Sequence, residues 1–116
     1  MSEINERYDR ATALKRAGEI KAAVEELEAI VADFPDHVLS HSTLANCLQS
    51  LERGDEAVIH AERVTQLDPQ DRFAWTQLAV ICQCCGRTEE SDEAMARARQ
   101  LAATANQDGN VDDRRG

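Results

Sequence analysis

The residues able to do chemistry form one cluster and two scatters. Cys82, Cys84 and Cys85 make a Cys-x-Cys-Cys run, with Cys47 upstream. Thiolates bind soft metals or exchange disulfides, so this run is the candidate for a metal or redox site. Its spacing argues against that role. Structural zinc sites take cysteine pairs on turns. Side chains two apart on a helix diverge, and only Cys82 and Cys85, three apart, share a face. The plainer reading makes Cys82 a small core residue and the others partly exposed thiols. His37 and His41 are four apart and His60 stands alone. No cysteine or carboxylate joins them in a recognisable motif, so they read as surface or interface histidines. The carboxylates Glu25, Glu26, Glu28, Glu89, Glu90, Asp92 and Glu93 fall on exposed helix faces, not as a pair aimed at one substrate. Phosphate loops, zincin motifs and nucleophile elbows are missing. The expectation is a protein that is not an enzyme, with no metal and no cofactor.

The elements that would carry these residues follow from composition. The chain has 116 residues, 42% hydrophobic and 30% charged, with 3% aromatics, two prolines and five glycines. That is the size of one domain with a modest core built from small and aliphatic side chains. The net charge is −9. Nucleic-acid binding needs clustered Lys and Arg, and anionic membranes attract the same residues, so neither partner is expected. A basic or neutral protein suits this charge better. No stretch reaches the ~20 apolar residues of a membrane span. The N-terminus lacks the layout of a signal peptide, and free thiols fit a reducing compartment. A cytoplasmic location is expected.

A repeat of 34 residues organises the chain. Pro35 and Pro69 are one step apart, as are Ala23 and Ala57, Leu44 and Leu78, and Leu67 and Leu101. Ala11, Ala45 and Ala79 form a triplet, and so do Ile30, Val64 and Ala98. Three windows result, 4–37, 38–71 and 72–105, within a domain spanning 1–105. Each reads as helix, turn, helix. Apolar residues at spacings of three and four mark the helices, as in Ala23, Val24, Leu27, Ile30 and Val31. Turns are expected near Gly18, Pro35, Gly54, Pro69 and Gly86, with Asp36 capping the third helix. The polar residues 106–116 read as a disordered tail.

This pattern resembles the tetratricopeptide repeat family over about residues 4–105. Trp75, Leu78, Ala79 and Gly86 match the family best in the third window. Leu44, Ala45, Ala57 and Leu67-Asp68-Pro69 match in the second, and Ala11, Gly18, Ala23 and Pro35 in the first. The sequence departs at Arg7 and His41, where an early aromatic is usual, at Glu52 in the glycine place, and at Ser91 in the place of an alanine. The resemblance implies an all-α fold: three helix-turn-helix repeats, six helices, stacked as a right-handed α-solenoid. The polar last helix suits the end of such a stack.

The resemblance also implies a site. The first helix of each repeat lines a concave groove that receives a peptide segment of another protein. Here that groove takes Asn5, Tyr8, Thr12 and Lys15 from the first repeat. Leu39, Ser42, Thr43, Asn46 and Gln49 come from the second, and Phe73, Thr76, Gln77, Val80 and Cys84 from the third. One subclass of the family grips a C-terminal carboxylate with lysine, asparagine and arginine side chains. Tyr8, Thr12, Thr43, Phe73 and Gln77 occupy the matching places, and none is a cation. The groove suits a peptide bonded through Asn, Gln and Thr with an apolar anchor near Phe73. Trp75 is expected to pack between helices. The alternatives are a homodimer formed through end faces or edges, and a thiol site at Cys82, Cys84 and Cys85.

Overall fold

A computed structural model describes the backbone of residues 2–115 and the side chains of residues 2–105. The expectation of a disordered tail over 106–116 lies outside the described side chains. Among the described residues there are six helices and no strand: α1 Glu3–Arg16, α2 Ile20–Asp33, α3 Val38–Ser50, α4 Gly54–Leu67, α5 Arg72–Cys84 and α6 Thr88–Arg115. Each helix packs on the one before it and the one after it. This sequential packing is the mark of a solenoid, in which stability comes from neighbouring repeats. No helix among the described residues is long and apolar enough to cross a membrane.

The 34-residue step is explained by packing. Ala11, Ala45 and Ala79 are each 0% exposed, as are Ala23 and Ala57. Small side chains at these buried places let paired helices pack closely. Leu27, Ile30, Leu44, Leu48 and Ile81 fill the space between the pairs. Truncating any of these to alanine costs about 2–5 kcal/mol in cores of this kind. Ser91 is buried in an alanine place, and its hydroxyl donates to the Ala79 carbonyl at 2.8 Å. The polar substitution is therefore satisfied.

Helix ends follow local chemistry. Ser2 caps α1 by accepting from the Asn5 N–H at 3.1 Å, and Asp71 caps α5 by accepting from the Phe73 N–H at 2.9 Å. Asp36 does not cap α3. Its carboxylate pairs with Arg63 at 2.9 Å, and His37 takes the cap position without a capping side-chain bond. Left-handed residues close the first helix of each repeat: Gly18 (φ 85°), Glu52 (φ 60°) and Gly86 (φ 77°). The turn of the second repeat is thus centred on Glu52. Gly54, expected in that turn, is the first residue of α4 and lies where an added β-carbon would strike the Cys85 sulfur.

The outer face of α6 differs from the faces that join repeats. Asp92 and Arg99 are exposed there, one or two steps on from the buried Val24 and Val58 and from Val31 and the buried Thr65. Polar residues on that face suit contact with water.

Candidate functional groove

α3 and α5 lie on the same side of the stack and carry few charges. Of their 13 residues each, only Arg72 is a formal cation, and neither helix contains Asp or Glu. The other charges lie on α1, α2, α4, α6 and the turns between helices. Between α3 and α5 runs an open groove of about 450 Å³. Its walls include Leu39, Ser42, Asn46, Gln49, Phe73, Thr76, Gln77 and Val80, with Val38, Val64, Asp71, Ala74 and Ile81 completing the lining. Leu39, Phe73 and Val80 are 57%, 67% and 47% exposed. Exposed large apolar side chains brought together in one concavity are the usual sign of a surface that meets another molecule.

The polar groups of the groove are partly engaged within the stack. Gln77 Nε2 donates to the Ser42 carbonyl at 2.9 Å and to Asn46 Oδ1 at 3.1 Å, and Ser42 Oγ donates to Gln77 Oε1 at 3.3 Å. These bonds lock α3 to α5. The Asn46 amide nitrogen donates to nothing among the described residues, so it is the better-placed donor for an occupant. The Arg72 guanidinium lies 5.0 Å from the Phe73 ring centroid, which orders the ring at the mouth.

The first-repeat residues do not join this concavity. Asn5 and Lys15 are exposed, and Tyr8 and Thr12 are half-buried on α1, away from the lining. Thr43 is buried and shares a 2.8 Å hydrogen bond with the Tyr8 hydroxyl, so both serve the contact between α1 and α3. Cys84 is exposed in a separate depression with Gln49, Glu52, Gly54, Asp55 and Cys85.

All four cysteines are free thiols. Cys82 and Cys47 are buried, and burial pushes both thiols up from the ordinary cysteine range. A raised thiol is a poor nucleophile at neutral pH. Cys47 was expected to be partly exposed and instead fills core space between helix pairs. Among the described residues no three His, Cys, Asp or Glu side chains are grouped for a metal ion.

Trp75 packs against the core and its Nε1 donates to the Pro69 carbonyl at 2.9 Å. One step earlier, His41 Nε2 reaches the Pro35 carbonyl at 2.7 Å. The two rings do the same work, so His41 replaces the aromatic by supplying an equivalent N–H. Sequence reading placed His41 at a surface or interface, yet it is 6% exposed and its Nδ1 lies 3.0 Å from His60 Nδ1. The signal that points to this role is the 34-residue register with Trp75. Nothing in the sequence announces the pairing with His60. In the first repeat Arg7 stands in the aromatic place and pairs with Asp33 at 2.8 Å.

Helix pairs stacked in sequence, with a concave face lined by the first helix of successive pairs, define a helical-repeat solenoid. The family model described as tetratricopeptide repeat matches residues 14–81, and the chain belongs to that family. Solved structures agree in fold. One described as MamA superposes with a TM-score of 0.83 at 16% identity, over 90% of this chain and 61% of its own. The chain thus spans under two thirds of that protein. The second tetratricopeptide domain of Spaghetti (RPAP3), bound to the HSP90 peptide SRMEEVD, gives 0.78 at 16% identity, covering 86% of this chain and 93% of its own. The type III secretion translocator chaperone SycD of Yersinia enterocolitica, in an alternative dimer, gives 0.80 at 17% identity, covering 98% and 87%. No curated protein matches the chain in sequence.

Proposed function

We propose that the chain is a non-catalytic interaction module that holds a peptide segment of a partner protein in the groove between α3 and α5. The observation that carries this reading is the exposure of Leu39, Phe73 and Val80 on the two helices from which charge has been withheld. Such a surface favours an occupant with uncharged, apolar anchors and offers Asn46, Gln49 and Thr76 to its polar groups. It does not favour a terminal carboxylate, because Arg72 is the one cation on these helices and lies over Phe73. The RPAP3 domain was solved with a peptide, and that precedent for the fold supports a peptide as occupant. The four free thiols suit a reducing, cytoplasmic setting.

The test compares the chain with a Phe73→Ala, Asn46→Ala double variant, as baits in native lysate read by mass spectrometry. Phe73 is exposed and Asn46 gives up one hydrogen bond from Gln77, so the variant should lose no more than about 1 kcal/mol and stay folded. The reading expects a protein retained by the chain and lost from the variant. Equal retention by both rejects the groove. If the only protein retained is a second copy of the chain, the module assembles with itself instead.

A further inference from the structure

His41 and His60 meet where α3 packs on α4, and His37 lies one turn before His41. A carbonyl oxygen only accepts, so the 2.7 Å contact with Pro35 places a proton on His41 Nε2. In the neutral ring the His41 Nδ1 is then an acceptor. The 3.0 Å contact between the two Nδ1 atoms therefore requires His60 to donate from Nδ1. One tautomer is dictated for each ring by the Pro35 carbonyl.

This arrangement has a fixed proton capacity. A first added proton can sit on His60 Nε2 and leave both hydrogen bonds in place. A second would have to sit on His41 Nδ1, and two N–H groups would then face each other at hydrogen-bond distance. We propose that the His41–His60 pair is a pH-sensitive lock on the second repeat, closed when neutral and opened when both rings are protonated. Opening breaks the hydrogen bonds of His41 to α4 and to the Pro35 turn and leaves the apolar contact between α3 and α4 in place. The first turn of α3, which holds Leu39, is the part released. The proposal does not depend on what the groove binds.

The surroundings set the direction. Burial, and then the neighbouring His41, hold His60 below the ordinary imidazole range, while Glu56 one turn away acts more weakly the other way. Glu56 is itself drawn to Arg53 at 2.7 Å. Burial and His41 lower His37 likewise, and its ring packs T-shaped against Tyr8 of α1. Around them, Asp36 is paired with Arg63, Asp33 with Arg7, and α5 offers no carboxylate. A histidine lowered in the folded state contributes stability above its unfolded value, near 6.5, and that contribution is lost as pH falls through it. The unfolded chain then binds protons that the folded chain excludes. Each excluded proton lowers the folded-to-unfolded ratio by up to about tenfold per pH unit.

The experiment measures urea unfolding from pH 8 to pH 5 for the chain and for His60→Asn, whose amide nitrogen keeps a donor near the Nδ1 position without titrating. The two curves should separate below about pH 6.5, the unvaried chain losing more stability by as much as one proton's slope. Nitrogen-15 imidazole spectra of the unvaried chain supply a readout that needs no variant. They should show His41 protonated at Nε2 and His60 at Nδ1 at neutral pH. Parallel unfolding curves, or the ordinary tautomer mixture on both rings, overturn the lock. If His60→Asn does not fold, the tautomer spectra decide alone.

Discussion

Glu52 is the one non-glycine residue with positive φ among those described, at 60° in a place where the other two repeats have Gly18 and Gly86. A left-handed backbone costs a side-chain-bearing residue roughly 1–2 kcal/mol. Glycine avoids that cost but loses about 0.5–1 kcal/mol more backbone freedom on folding. The Glu52 carboxylate also lies just past the C-terminal end of α3, where a negative charge is unfavourable by about 0.3–1 kcal/mol when exposed. Glu52 is exposed and forms no ion pair among the described residues, so little is lost with the side chain. Glu52→Gly should therefore stabilise the chain by about 1 kcal/mol. Urea unfolding followed by circular dichroism would place its midpoint roughly 0.5 M higher. Glu52→Ala separates the causes, since it removes the charge and keeps the left-handed strain, and it should recover only a few tenths of a kcal/mol. Equal midpoints for the two variants would show that backbone conformation is not the source. A lower midpoint for Glu52→Gly would refute the reasoning.

Gly54→Ala should destabilise by about 1–3 kcal/mol even though alanine favours helices, because the new methyl meets the Cys85 sulfur. Adding Cys85→Ala to it should recover part of the loss, a coupling that a double-mutant cycle in urea detects. Thiol labelling at pH 8 should modify Cys84 at once, Cys85 more slowly, and Cys47 and Cys82 only as the chain unfolds. Early modification of Cys82 would contradict the packing of α5 on its neighbours.

The fold was legible because its determinants are local and repeated. Alanines at a fixed step, prolines after the second helix of a pair and glycines after the first are each demanded by one backbone feature. The places where reading the sequence fell short involve residues that are ambiguous alone. A glycine draws the eye to a turn, so Gly54 was favoured over Glu52. Only the space beside Cys85 shows why glycine stands at 54. Asp36 has the chemistry of a helix cap, yet Arg63, 27 residues later, binds it. His41 and His60 are 19 residues apart, and no spacing rule joins the first helix of a repeat to the second through their side chains. The groove was partly legible. Residues one helical turn apart on α3 and α5 could be placed on one face, but their degree of engagement could not.

That engagement follows a rule visible only in three dimensions. Tyr8 bonds to Thr43, and Ser42 bonds to Gln77, both across 35 residues. The second contact is the first moved on by one repeat. Each joins the first helices of adjacent repeats through one long and one short polar side chain, with the long member on the lower helix at one junction and on the upper at the next. A side chain that forms such a rung holds the stack together and is poorly placed to change partners. Positions off the rungs carry no such duty, and there the sequence puts Leu39, Phe73 and Val80, while Asn46 accepts from a rung residue through its oxygen and keeps its amide nitrogen for an occupant. The division explains why polar residues of similar character on one concave face have different roles. It also locates recognition at the α3–α5 junction, where rung and exposed apolar wall stand side by side, rather than along the whole line of first helices.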